Sequence, residues 1–74
     1  MSSEIRRTVM NALARLPHRQ RTVVALRDID GFTADEVCEV LGVSAANQRV
    51  LLHRGRVQLR TALESSLVLG TAHD

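Results

Sequence analysis

The chain has 74 residues, of which 45% are hydrophobic, and its formal net charge is only +2. This length fits one small domain and excludes a second core, while the hydrophobic content favours a folded chain over a disordered one. Phe32 is the only aromatic residue, so the core must consist of Leu, Val, Ile and Ala, which favours packed helices over sheets.

The first half of the chain predicts two helices that meet at a proline. The first covers residues 4–15, with Ser2 or Ser3 as N-cap. The second covers residues 18–28 or 18–29, because Pro17 stops the first helix and is tolerated where the next one opens. Gly31 ends this segment. The apolar stripe of the first helix consists of Ile5, Val9, Ala12, Leu13 and Leu16, and that of the second of Val23, Val24, Leu26 and Ile29.

The second half predicts a short helix, a tight turn and a long helix. Thr33 and Glu36 form a capping box for a helix over residues 34–41, which directs Val37, Val40 and Leu41 inward and carries Cys38 as a small buried hydrophobe. Residues 42–44 then form a short glycine-containing turn, which is typical of a helix-turn-helix. The fourth helix follows Ser44 and runs at least to residue 64. The predicted fold is all-α, with four helices in one domain over residues 1–74, a core within 3–66 and a frayed end at 70–74.

The fourth helix predicts a DNA-reading face. Its apolar side consists of Ala45, Gln48, Leu51, Leu52, Gly55, Leu59, Ala62 and Leu63. The exposed side carries four arginines and one histidine before its first acid, Glu64, whereas a solvated face normally mixes both signs. A recognition helix enters the major groove N-terminal end first. The residues expected to contact base edges are Asn47, Gln48, Arg49, Val50 and His53, and those expected to contact phosphates are Ser44, Arg54, Arg56 and Arg60.

No group of residues predicts catalysis. The three histidines have no cysteine or carboxylate at ligand spacing, so no metal site, cofactor site or enzyme activity is expected. Cys38 is the only cysteine, which excludes an intramolecular disulfide and favours a reducing cytoplasm. No apolar run approaches the roughly 20 residues that a membrane span needs.

Several short motifs in a fixed order carry a family resemblance. The chain resembles region 4 of the extracytoplasmic-function sigma factors, a resemblance that covers about residues 3–64. The motifs are LPHRQR (16–21), LR (26–27), DGFT (30–33), EV (36–37), LGVS (41–44), LHRGR (52–56) and LR (59–60).

This resemblance implies a four-helix domain that recognises the promoter −35 element, often GGAAC-like, and docks on the flap-tip helix of the RNA polymerase β subunit. An anti-sigma factor covers these surfaces in many members. Family DNA contacts carry over to Ser44, Arg49, His53 and Arg54. The implied docking surface consists of Leu13, Leu16, Val23 and Val24. The sequence departs from many members at Gln48, where they have a buried Val, and at Leu51, where they have an exposed Arg.

Two alternatives stay open at this point. The C-terminal domain of LuxR-type regulators has a similar four-helix plan and would bind a palindrome as a dimer. A helical module that binds only a protein partner would show no salt-dependent DNA affinity.

Overall fold

The structure is a computed structural model that describes residues 2–72, with side chains described for residues 2–66. It contains four α-helices and one π-helical turn within that range. Residues 73–74 of the predicted frayed segment 70–74 lie outside the described residues. The helices are α1 (Ser3–Ala14), α2 (His18–Val24), α3 (Ala34–Leu41) and α4 (Ala45–Ala72), and a π-helical turn (Ala25–Ile29), called here the π segment, follows α2.

The boundaries of α1 follow from its flanking residues. The Ile5 amide donates to the Ser2 hydroxyl oxygen at 3.2 Å, which satisfies one of the free amides of the first turn and confirms Ser2 as the N-cap. The helix ends at Ala14, one residue earlier than predicted. Pro17 occupies the N-cap position of α2, with φ −54° and ψ 145°, and not the first helical position.

The second predicted helix divides into two backbone forms. After Val24 the backbone hydrogen bonds span five residues and no longer four. The Asp30 amide, for example, donates to the Ala25 carbonyl at 2.9 Å. The Phe32 amide then donates to the Leu26 carbonyl at 2.8 Å, and Gly31 adopts φ 79° between them. Such π-helical turns are rare, and no propensity rule places one here.

The helix-turn-helix has its predicted geometry. The Glu36 amide donates to the Thr33 hydroxyl oxygen at 3.1 Å and the Thr33 amide donates to the Glu36 carboxylate at 2.8 Å, so the capping box is confirmed. These bonds from Thr33 hold the pKa of Glu36 below its ordinary value. Gly42 ends α3 with φ 67°, and the amides of Gly42 and Val43 both donate to the Cys38 carbonyl. The left-handed backbone at Gly42 therefore ends α3 just before the turn that leads to α4.

The core lies where α1, α2 and α3 pack against α4. Its buried members are Leu13, Leu16, Val23, Val24, Val37 and Leu52. The apolar stripes of α1 and α4 are confirmed in most positions, but Val40 of α3 is 60% exposed and Ala45 of α4 is exposed, so their predicted inward orientation is wrong. Val40 lies next to exposed Glu39 on the outer side of α3. Cys38 is half-buried.

A glycine permits the closest contact between helices. Gly55 of α4 is buried against α2, and a Cβ atom there would lie 2.5 Å from Cγ2 of Val24 and 3.1 Å from the Gln20 carbonyl oxygen. A side chain at this position would force Val24 or the backbone of α2 to shift. The crossing of α2 and α4 therefore depends on a residue that has no Cβ.

Candidate nucleic-acid interface

The turn after α3 presents the first residues of α4 to solvent. The Ser44 hydroxyl oxygen accepts from the Asn47 amide at 3.0 Å, so Ser44 is the N-cap. Asn47, Arg49 and Val50 are exposed in the first turns of the helix. Their side chains are free to meet a ligand that approaches this end of α4.

A stripe of basic side chains continues along the same helix. Arg49, His53, Arg56 and Arg60 recur every three or four residues, and all four are exposed. Arg54 is exposed further round the helix. The exposed part of α4 before Glu64 therefore carries four arginines and no acid, which makes this surface electropositive.

One arginine of the stripe has an acidic partner that sequence analysis missed. Arg56 donates from Nε to Oδ2 of Asp28 at 2.9 Å and from Nη2 to Oδ1 at 2.7 Å. The hydrogen bonds from Arg56 are the main reason that the pKa of Asp28 is lowered, and the same pair raises the pKa of Arg56. The two residues are 28 positions apart, and no sequence pattern links them.

Val50 and Val57 are the apolar exceptions on the outer side of α4. They are 44% and 46% exposed and stand seven residues apart, or about two helical turns. Val50 lies beside Arg49 near the beginning of the helix, so an apolar side chain interrupts the polar surface there.

The prediction that Gln48 contacts a base edge is wrong. Its side chain is 1% exposed, and it is the largest fully buried side chain among those described. Its Oε1 atom has no hydrogen-bond partner among the described residues. Helical spacing had already predicted Gln48 on the apolar side of α4. Its position in the helix, and not the polarity of its side chain, therefore determines its burial.

The predicted docking residues are also buried. Leu13, Leu16, Val23 and Val24 are each at most 5% exposed, so they form the core, and the prediction that they form a docking surface is wrong. The apolar surface lies beside them. A groove of about 300 Å³ runs between α1 and the π segment, and Met10 and Ile29 on its sides are 52% and 49% exposed. Its lining is Met10, Leu13, Ala14, Arg21, Ala25, Ile29 and Asp30.

A second apolar groove of about 450 Å³ lies between α1 and α4. It is lined by Glu4, Ile5, Thr8, Val9 and Leu63, and Ile5 is 57% exposed. None of the helices described within residues 2–72 is long and apolar enough to cross a membrane.

The fold and the basic face of α4 define a helix-turn-helix domain of the nucleic-acid-binding class. The chain belongs to the family described as sigma-70, region 4, whose model matches residues 6–59. The motifs at 16–60 that carried the resemblance lie almost entirely within the matched range. No solved structure matches the chain.

Several relatives are bacterial sigma factors. The chain is 33% identical over 63 residues to the ECF RNA polymerase sigma factor SigW of Bacillus subtilis, which covers 85% of this chain and 34% of the relative. It is 44% identical over 52 residues to the ECF sigma factor SigE of Mycolicibacterium smegmatis, covering 70% of this chain and 20% of the relative. It is 37% identical over 62 residues to the ECF sigma factor SigG of Mycobacterium tuberculosis, covering 84% and 17%. The chain thus spans about a third or less of the length of these relatives.

Proposed function

We propose that this domain binds the −35 element of promoter DNA as the DNA-reading part of an RNA polymerase sigma factor in transcription initiation. The observation that carries the proposal is the exposed arginine stripe of α4, directly after a capped helix-turn-helix turn. Before Glu64 the helix itself carries no acid, and Asp28 of the π segment pairs with Arg56 of the stripe. Names of the relatives agree with this role. The site of action would then be the bacterial cytoplasm, and no enzyme activity is involved.

The position along α4 separates two kinds of DNA contact. Asn47, Arg49, Val50 and His53 lie nearest the end that enters the major groove, so they are proposed to contact base edges, with Arg49 bidentate to a guanine. Contacts further along the helix position the protein without reading sequence. The proposed phosphate contacts are Ser44 at the N-cap and, further along the helix, Arg54, Arg56 and Arg60.

We expect Arg49→Ala to weaken binding to a GGAAC duplex by about 1–3 kcal/mol and to blur the preference over a scrambled duplex. The reason is the loss of both hydrogen bonds to one guanine. The measurement is an NMR titration of wild type and variant with both duplexes at several salt concentrations. Arg7→Ala is the matched control, because Arg7 is also exposed but lies on α1.

The same titration separates the competing functions. Wild-type shifts should concentrate in residues 44–56, favour GGAAC and weaken steeply with salt. Equal binding of both duplexes would refute the base contacts and leave only phosphate binding. A dimer on a palindromic site would favour a LuxR-type regulator, and no binding at low salt would favour a module that binds only proteins.

A second surface is proposed to contact RNA polymerase. Sigma region 4 domains of this kind dock on the flap-tip helix of the β subunit, and the groove between α1 and the π segment offers exposed Met10 and Ile29 to such an apolar helix. This groove replaces the buried residues of the sequence-based prediction. An anti-sigma factor that covers either surface would keep the domain inactive.

We expect Ile29→Glu to weaken binding to the isolated β flap at least tenfold without changing DNA affinity, because it places a charge in an apolar contact. Fluorescence anisotropy with a labelled flap fragment measures this. Val40→Glu is the control, since Val40 is even more exposed but lies on α3. Equal loss in both variants, or none in Ile29→Glu, would place the docking surface elsewhere.

A further inference from the structure

We propose that Asp28 is a positioning residue for DNA binding, which holds Arg56 by one edge of its guanidinium so that the other edge faces a DNA phosphate. This inference rests on the proposed function of α4. It assigns a role in DNA binding to an acidic residue that lies outside the helix-turn-helix.

The geometry of the pair leaves donors free. A guanidinium has five N–H groups in a rigid fork. The bonds to Asp28 use the Nε–H and one Nη2–H, so both Nη1–H groups and the second Nη2–H remain for another acceptor. The Arg56 side chain is 51% exposed and that of Asp28 is 36% exposed, so the pair lies at the surface where a ligand can approach.

Asp28 is itself held by its backbone. It belongs to the π segment, which is closed by the bond from the Asp30 amide to the Ala25 carbonyl. The loop that follows is fastened by the Arg27 guanidinium, whose Nη1 donates to the Phe32 carbonyl at 2.9 Å. These hydrogen bonds restrict the backbone on which the Asp28 carboxylate stands. In other proteins, π-helical turns frequently occur at functional sites.

Pre-ordering is the physical advantage of this arrangement. A free arginine side chain loses much rotamer freedom when it binds a phosphate, which weakens binding. Arg56 has already lost part of that freedom in the folded domain, because two hydrogen bonds restrict its guanidinium. The free N–H groups of Arg56 can therefore bind a phosphate without the full loss of side-chain entropy.

Charge repulsion alone predicts the opposite effect of Asp28 on DNA affinity. A carboxylate close to the DNA repels phosphates, so removing it should strengthen binding if charge alone matters. Asp30 supplies the matched control, since it is an exposed acid two residues away that forms no ion pair within the described part of the chain. The sign of the change in affinity at Asp28 therefore separates positioning from repulsion, and Asp30, which lines the groove between α1 and the π segment, shows the effect of removing one negative charge elsewhere on the domain.

We expect Asp28→Asn to weaken binding to the GGAAC duplex by about three- to tenfold, as expected for a weakened charge-assisted contact. Its slope of log affinity against log salt should fall by up to about 0.9, the value of one phosphate contact. Asp30→Asn should leave affinity unchanged or higher. Because Asn retains one acceptor oxygen, Asp28→Ala should show the larger loss of the two Asp28 variants.

Arg56→Gln completes a double-mutant cycle. If Asp28 acts through Arg56, Asp28→Asn should have no further effect in the Arg56→Gln background. Thermal unfolding and amide NMR spectra of every variant verify that the fold persists, as expected for a surface ion pair.

Three outcomes would overturn the inference. Tighter binding by Asp28→Asn would mean that Asp28 competes with phosphate for Arg56. An equal loss in the presence and absence of Arg56 would mean that Asp28 acts through the fold. If the wild-type domain binds neither duplex at low salt, the proposed function fails first and this role fails with it.

Discussion

Replacing Gly55 by alanine is expected to lower the free energy of unfolding by about 1–2 kcal/mol. Helix propensity alone predicts the opposite, since alanine is better than glycine in a helix interior by about 1 kcal/mol. The new Cβ would lie 2.5 Å from Cγ2 of Val24, which is fully buried and β-branched and has little freedom to move. Overpacking of this kind costs about 1–3 kcal/mol and more when backbone must shift, so the contact outweighs the propensity.

Urea denaturation of wild type and variant measures this difference. Val24→Ala removes the obstructing Cγ2 atom and is destabilising by itself, so a double-mutant cycle isolates the contact. The added cost of Gly55→Ala should shrink in the Val24→Ala background. A Gly55→Ala variant that is more stable than wild type by about the propensity difference would show that the α2–α4 separation is wider than described.

Replacing Gln48 by methionine is expected to raise the free energy of unfolding by about 1–3 kcal/mol. The Gln48 side chain is 1% exposed and its Oε1 has no partner among the described residues, so folding removes a polar atom from water without replacing its hydrogen bond. Methionine has similar length and flexibility and carries no such atom. The same change should leave DNA affinity unaltered, because Gln48 does not reach the exposed face.

Gln48→Glu is the informative counterpart, since it retains the shape and adds a charge. Burial would raise the pKa of the new carboxyl in the folded state above its unfolded value. The loss of stability caused by ionising this carboxyl would therefore be absent below its pKa in the unfolded chain. It would grow as the pH rises from that pKa to the raised pKa of the folded state. Chemical denaturation at two pH values measures this. A loss of stability independent of pH would mean that position 48 is not shielded from water. A methionine variant less stable than wild type would mean that the Gln48 amide makes hydrogen bonds in the folded protein, for example to water.

Fold class and helix boundaries could be predicted from the chain because their causes are local. Ser2, Pro17, the capping box of Thr33 and Glu36, and Gly42 each act on residues within one helical turn of themselves. The basic face of α4 could equally be predicted, since the exposure of Arg49, His53 and Arg60 follows from helical periodicity.

Side-chain burial was predicted less well wherever neighbours decide it. Periodicity alone cannot tell whether Leu16 or Val23 lines a groove or fills the core, because that depends on which helix covers the position. For the same reason, periodicity predicted that Val40 points inward, whereas no neighbouring helix in the described part of the chain covers it and its side chain is exposed. Gln48 shows the converse, because its place on α4 overrides the preference of an amide for water.

Only the tertiary structure pairs Asp28 with Arg56. The pair joins residues 28 positions apart, one in the π segment and one next to Gly55, where α2 and α4 approach closely. The groove between Met10 and Ile29 likewise exists only because α1 packs beside the π segment. Contacts between distant residues depend on the separation and angle of whole helices, whereas caps, turns and helix faces depend on the nearest few residues in the chain.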